Sequence, residues 1–407
     1  MRRNKRAAFA EFQRSGRFEI MSQTIVVIGA GQAATEFSVA LRGGGFGGAI
    51  QVVGDEPYLP YQRPPLSKDF LSGKSPYEKL MLRPEAFWRE QKIEFELGTA
   101  AAKIDRSKRT VSLVDSRTLE YETLVLATGT RARVPPLSGI ELEGVFALRR
   151  IDDVKKLRPA LNDAKRVAIV GGGYIGLEVA AVARSEGREV VVLEAEERVM
   201  KRVTCAEVST FYETLHRGRG VEIRTGARIE AIEGGERATG VRLAGGERIA
   251  ADLVLVSTGA RANEELAAEA GLSCEDGILV DEFGRTADET VYAIGDCTRF
   301  PSRRYGRKVR LECVQNAFDQ AKAAAMTILG KGAAYNPVPW FWSDQYDVKF
   351  QSCGLSAGHD EAKVVGDPGA PHFSVEYRRA GRLIAVDAIN DARAYMMGRK
   401  TIALETA

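Results

Sequence analysis

Runs of β-branched and aliphatic residues recur along the chain, and several of them end on small residues. Thr24 to Ile28 is the first such run; it enters Gly29-Ala30-Gly31, and the helix-compatible segment Ala34 to Leu41 follows. A strand buried on both faces reads as continuous apolar sequence, so this stretch predicts strand, tight turn and helix. Ile50 to Val53 predicts the second strand of the unit, and Leu124 to Ala127 a later buried strand ending at Thr128-Gly129. The pattern then repeats. Val167 to Val170 enters Gly171-Gly172-Gly173 and Gly176, Val190 to Leu193 predicts a second strand, and Leu253 to Val256 ends at Ser257-Thr258-Gly259. Val291 to Ile294 predicts another return strand, and Glu312 to Leu329 a helix. Beyond Pro337-Val338-Pro339 the pattern becomes alternating, as in Phe373 to Tyr377 and Leu383 to Val386, which predicts a small α+β module.

Composition narrows the class. The 407 residues leave room for two or three domains, and 44% hydrophobic with 28% charged residues is the balance of a soluble globular protein. No apolar run reaches the ~18 residues of a membrane span, so no membrane is expected. The formal charge of +3 is carried by residues 1–20, which hold six Lys/Arg against two Glu. That segment reads as a basic, disordered tail, and the nearly neutral body argues against nucleic acid as a partner. Cys205, Cys274, Cys297, Cys313 and Cys353 form no close pair, and His216, His359 and His372 are scattered. Neither a metal site nor a local dithiol is expected, and unpaired cysteines fit a reducing cytoplasm.

The glycine turns carry the chemistry. A G-x-G-x-x-A/G sequence between strand and helix permits a tight turn and lets a pyrophosphate approach the helix N-terminus. Its occurrence at Gly29, Gly31 and Ala34 and again at Gly171, Gly173 and Gly176 predicts two dinucleotides. An acid about 20 residues downstream can bind a ribose: Asp55 or Glu56 in the first unit, with Asp55 favoured, and Glu194 in the second. A carboxylate at Glu194 repels a 2′-phosphate and so favours NAD over NADP, although Arg198 and Arg202 lie close by in sequence. Gly354-Leu355-Ser356-Ala357-Gly358 matches a nucleophile elbow, but no helix is predicted after it, which argues against a hydrolase.

From about residue 23 to 400 the chain resembles the FAD-dependent NADH:ferredoxin reductases of the putidaredoxin reductase type. The motifs that carry the resemblance are Arg63-Pro64-Pro65-Leu66-Ser67-Lys68, Ala127-Thr128-Gly129-Thr130-Arg131, Gly171 to Glu178, Ala293 to Cys297, Glu312 to Ala317 and Trp340 to Gln345. The resemblance implies a glutathione-reductase-like α/β fold with two dinucleotide-binding domains and a C-terminal α+β domain. It divides the chain into a tail at 1–20, an FAD-binding domain at 21–127 and 256–328, an NAD-binding domain at 128–255, and a C-terminal domain at 329–407.

It also implies roles. Gly29, Gly31 and Ala33 would hold the FAD pyrophosphate and Asp55 the ribose, with Arg63, Ala101 and Arg131 elsewhere along the cofactor. Asp296 would meet the ribityl chain, Val314 the flavin ring and Trp342 its nicotinamide-facing side. Gly171, Gly173, Ile175, Gly176, Glu178, Glu194 and Gly259 would bind NADH. Lys68, which would also contact the FAD, and Glu178 would approach each other near the two reacting rings as the catalytic pair. Disulfide reductases of this fold carry a Cys-x4-Cys where this chain reads Pro64 to Lys68, so reduced flavin would pass electrons directly to a docked partner. Arg303, Arg304, Arg307, Lys308 and Arg310, with Lys322 on the following helix, would attract an acidic [2Fe–2S] ferredoxin serving an oxygenase. A monomer or weak dimer is expected. The rival readings are an NADH oxidase or rubredoxin-type reductase, and an NADH-sensing flavoprotein interaction module.

Overall fold

The computed structural model describes residues 23–405; the expected basic tail lies outside them. Its α-helices are α1 (Gln32–Gly43), α2 (Glu85–Glu90), α3 (Ile151–Asp163), α4 (Tyr174–Ser185), α5 (Ala206–Gly218), α6 (Glu265–Glu269), α7 (Val314–Ile328) and α8 (Ala392–Glu405). By contacts the chain forms two compact units. One comprises residues up to Gln62, Met81–Thr130 and Ala262–Pro337; the other comprises Arg63–Leu80, Arg131–Arg261 and the chain from Val338 onward.

The first unit is built on a five-stranded parallel sheet in the order Val291–Ala293, Thr123–Leu126, Thr24–Ile28, Ala49–Gly54, Ile93–Leu97. The apolar run at 24–28 takes the middle position, where strands pair along both of its edges and both of its faces are buried, Ile25 to Ile28 being at most 5% exposed. Val27 pairs with Val52 and with Val125, and all three are at most 1% exposed. Helix α1 lays Ala33, Ala34, Phe37 and Leu41 on the sheet at helical spacing, and α7 adds Ala317, Ala321 and Ala324 to the same core. Phe37 and Leu41 are fully buried, worth about 1.5–3 kcal/mol apiece in apolar area removed from water.

The second unit repeats the plan. Its parallel sheet runs Val221–Arg224, Glu189–Leu193, Arg166–Val170, Leu253–Val256, Val145–Ala147. It also holds a five-stranded antiparallel sheet in the order Trp340–Gln345, Val348–Gly354, Arg382–Ile389, His372–Arg379, Glu361–Asp367, with α8 packed on it through Tyr395 and Ile402. Asp387 ties this sheet to the loop before α5: its buried carboxyl accepts the Thr204 and Tyr377 hydroxyls, each at 2.6 Å. Burial raises the Asp387 pKa above the usual carboxylate value. Among the described residues no helix is long and apolar enough to cross a membrane, and no cluster of three or more His, Cys, Asp or Glu is placed to hold a metal ion.

Candidate functional site

The two glycine turns are superimposable in their logic. Gly29 has φ +107°, and a Cβ there would lie 2.2 Å from the Ala127 carbonyl oxygen. Gly171 has φ +105°, and a Cβ there would lie 2.4 Å from the Ser257 carbonyl oxygen. In both, a side chain is excluded by backbone strain and by the strand that returns beside the turn. Gly31 and Gly173, the capping residues just before α1 and α4, would instead place a Cβ in open space. Gly176 sits where a Cβ would strike the Gly171 carbonyl at 2.2 Å, so α4 packs directly on its turn. Ala33 is 7% exposed and borders Gly295, while Ile175 points outward with 39% exposed.

The helix ends decide what these turns suit. Helices α2, α3, α5 and α6 carry an acid in the first turn, and Asp391 caps α8 through the Ala394 N–H. Helices α1, α4 and α7 have neither a side-chain cap nor a first-turn acid. Their leading N–H groups and positive dipole ends are left for an external anion or an electron-rich group. At α7 the capping position is Cys313, whose thiol burial pushes up to about 12, so it stays neutral. Donors of this kind at two strand–turn–helix units fit two dinucleotide pyrophosphates.

The strand-end acids take up matching positions. Asp55 is exposed just past Ala49–Gly54, whereas Glu56 is buried and accepts the Tyr61 hydroxyl at 2.5 Å. Glu194 follows Glu189–Leu193; one carboxylate oxygen accepts the Gly172 N–H at 2.6 Å and the other the Glu196 N–H at 2.9 Å. Gly259 lies three residues past the returning strand Leu253–Val256, and a Cβ on it would meet the Arg202 guanidinium at 3.2 Å. Arg202 makes no hydrogen bond or ion pair among the described residues. Its neighbours are committed, Arg198 to Ser209 and the Cys205 carbonyl, Lys201 to Glu196 and Glu197.

Lys68 and Glu178 meet in the second unit. The Lys68 ammonium lies 2.9 Å from Glu178 Oε1, with Lys68 17% and Glu178 4% exposed. Residues Pro64–Ser67 form a 3₁₀ turn that presents Lys68, and Glu178 lies on the buried face of α4. Two hydroxyls complete the site: Ser67 donates to Glu178 Oε2 at 2.5 Å and Ser343 to Oε1 at 2.6 Å. Lys68 also donates to the Pro64 carbonyl at 3.2 Å, so two of its three N–H groups are used. Neither serine was a candidate in the sequence, although each adjoins one that was, Lys68 and Trp342.

The remaining candidates divide between the units. In the second, Arg63 donates to the Arg149 carbonyl, Arg131 lies half-buried on the short strand Thr130–Ala132, and Trp342 is half-buried 5.8 Å from Trp340. In the first, Ala101 begins the strand Ala101–Asp105, Val314 is the first residue of α7, and Asp296 sits in the turn Gly295–Cys297. That turn is held by Gln320 of α7, whose side-chain oxygen accepts the Gly295 N–H and the Thr298 hydroxyl. Nothing in the spacing of the sequence marks Gln320.

The basic run is less positive than its composition. Arg303 pairs with Glu282, Lys308 with Glu275, and Arg310 with Asp276 and Glu312, all acids from outside the run. Arg304 donates to the Pro337 carbonyl, and burial lowers its pKa. Arg307 and Lys322 are exposed and make no ion pair among the described residues. The elbow-like stretch has no nucleophile geometry. Gly354 ends a strand, a turn leads straight into Glu361–Asp367, and His359 Nδ1 faces the Ser356 carbonyl rather than its hydroxyl. All five cysteines are free, and Cys205, Cys297 and Cys353 are buried.

Residues 23–321 match the family model described as pyridine nucleotide-disulphide oxidoreductase, and 340–407 that described as reductase C-terminal. The chain is 41% identical over 381 residues to a ferredoxin–NAD(P)+ reductase of Sphingomonas sp., covering 93% of this chain and 92% of that one. It is 42% identical over 383 residues to rhodocoxin reductase of Rhodococcus erythropolis, covering 94% and 90%. Among solved structures it is similar to the covalent putidaredoxin reductase–putidaredoxin complex, with a TM-score of 0.91 and 40% identity over 93% of each chain.

Proposed function

The chain belongs to the pyridine nucleotide-disulphide oxidoreductase family, and from that premise we propose that it is an NADH-dependent flavoprotein reductase supplying single electrons to a [2Fe–2S] ferredoxin that serves an oxygenase. Relatives named for ferredoxin and rhodocoxin reduction, similar over more than nine-tenths of this chain, support the reading. Each turnover takes two electrons from one NADH, delivers one to each of two ferredoxins, and releases NAD+ and a proton. Bound FAD supplies the chemistry side chains lack, accepting electrons in pairs and releasing them singly.

The protein's part is to bind, orient and balance charge. The uncapped end of α1, with Gly29, Gly31 and Ala33, suits the FAD pyrophosphate, and Asp55 a ribose hydroxyl pair. Asp296 and the bare end of α7 at Val314 suit the ribityl chain and the flavin ring, where a positive dipole end favours added electron density. Ala101 belongs to the same unit as these residues, and Arg63, Arg131 and Trp342 are the cofactor candidates of the second unit. Gly171, Gly173, Ile175, Gly176 and Gly259 suit NADH, with Glu194 on its adenosine ribose.

The observation that carries the reading is the Lys68–Glu178 pair. It occupies the segment where disulfide reductases of this fold place a redox dithiol, and this chain's cysteines are free. With its charge balanced by Glu178, Lys68 keeps one N–H for the nicotinamide side of the site. The electrons then leave directly to a docked carrier, and Arg307 and Lys322 are the cations best placed to attract an acidic one. Free thiols suit the reducing cytoplasm. The test is anaerobic addition of NADH to the purified, FAD-loaded protein. One equivalent should bleach the flavin's visible bands in the wild type and much more slowly in Glu178→Gln; bleaching at equal rates in both removes the pair from the account.

A further inference from the structure

A line of buried polar side chains leads away from Glu178 on the side opposite Ser67. Ser343 donates to Glu178 Oε1, Gln345 Nε2 donates to Ser343 Oγ at 3.2 Å, and Gln345 Oε1 lies 2.8 Å from His216 Nε2. Ser343, Gln345 and His216 are 0%, 1% and 0% exposed. Ser343 and Gln345 are two apart on the strand Trp340–Gln345 and so share a face, and His216 comes from the last turn of α5.

Proton counting gives the line one direction. Ser343 has a single hydroxyl proton, and at 2.6 Å from a carboxylate it must point there. Its oxygen then needs a donor, which makes the Gln345 group facing it the NH2. The opposite face of Gln345 is therefore its oxygen, and His216 must present Nε2–H to it. His216 Nδ1 has no partner, which leaves a bare lone pair and not a stranded N–H. Burial lowers the His216 pKa and keeps the ring in this neutral form. An amide in the middle of the line does not pass protons at useful rates, so the line holds geometry and is not a proton wire.

We propose that His216, Gln345 and Ser343 are positioning residues for Glu178. They aim the Ser343 proton at Oε1, the same oxygen that holds Lys68, while Ser67 holds Oε2. The carboxylate is then fixed before NADH arrives, and the third Lys68 N–H is fixed with it. This rests on the reading of Lys68 and Glu178 as the pair that faces the nicotinamide.

The test uses the FAD-loaded protein with Ser343→Ala, Gln345→Leu and His216→Leu, each alone and combined with Glu178→Gln. Ser343→Ala removes one hydroxyl from a strand and keeps the test informative where a larger change prevents folding. Two quantities are read: the dissociation constant of the hydride-inert analogue 1,4,5,6-tetrahydro-NAD by calorimetry, and the single-turnover rate of flavin reduction by NADH. Loss of one such bond should weaken or slow each by about fivefold in the wild-type background. In the Glu178→Gln background the same changes should have less than about a twofold effect, because they act through that carboxylate. His216→Gln, which keeps an N–H donor for Gln345, should restore most of what His216→Leu loses. Effects of equal size in both backgrounds, or a Ser343→Ala protein with wild-type values, overturn the proposal. If Glu178→Gln alone changes neither quantity, the reading of the pair fails and the proposal falls with it.

Discussion

Removing the two members of the Lys68–Glu178 pair should have unequal costs. Lys68→Met leaves a carboxylate that is 4% exposed without its counter-ion. Breaking a buried pair in this way costs about 3–5 kcal/mol. The Ser67 and Ser343 hydroxyls still donate to the carboxylate, which places the expected loss at the low end, about 3 kcal/mol. Glu178→Gln leaves an ammonium that is 17% exposed and still bonded to the Pro64 carbonyl, so water and backbone compensate it. Its loss should be about 1.5 kcal/mol, the low end for hydrogen bonds to a charged group. In the double variant no buried charge is left unpaired, and the combined loss should fall about 1.5 kcal/mol or more below the sum. Urea unfolding at neutral pH in a fixed excess of FAD measures all three, once the FAD dissociation constant of each variant has been determined and its linkage subtracted. The coupling should persist in 0.5 M NaCl, because a pair this buried is poorly screened. Equal losses that add within about 0.5 kcal/mol would refute the argument that the pair neutralises a buried carboxylate.

Other expectations follow from the same geometry. Glu194→Ala should lower the NADH-to-NADPH ratio of kcat/KM at least tenfold, with Arg202→Ala in addition removing part of the gain for NADPH; steady-state kinetics with both nucleotides decides it. His216 has a lowered pKa, so its burial stabilises the fold above the free value of 6.5 and that stability is lost as pH falls below it. His216→Gln should therefore flatten the decline in urea stability between pH 7.5 and 5.5. Gly171→Ala forces a Cβ to within 2.4 Å of the Ser257 carbonyl oxygen at φ +105°, and calorimetric melting should show a loss of several kcal/mol. Reversing Arg307 or Lys322 to Glu should raise the KM for ferredoxin and weaken its salt dependence more than reversing Arg303, which Glu282 already neutralises.

The parallel cores were legible because strands buried on both faces read as unbroken apolar sequence, as Thr24–Ile28 and Arg166–Val170 do. The turns at Gly29 and Gly171 were legible because each backbone position excludes every larger residue. What escaped was assembled from distant chain. Glu178 takes donors from positions 67, 68 and 343, and no local pattern announces that three segments converge on one carboxylate. His216 looked isolated because its partner, Gln345, is 129 positions away. The cations at 299–310 looked uncompensated for the same reason, since the acids at 275, 276 and 282 that answer them precede the run. Composition counts charges along the chain; it does not count the pairs they form in space.

In the proposed reaction, electrons from NADH leave this protein through a ferredoxin. Steady-state reduction of cytochrome c by the FAD-loaded protein and NADH, with and without an added [2Fe–2S] ferredoxin, tests this most directly. Reduction should be slow without ferredoxin and should rise by about tenfold or more, saturating as ferredoxin is added. Fast turnover without any ferredoxin, or with oxygen alone as acceptor, would contradict the proposed reaction.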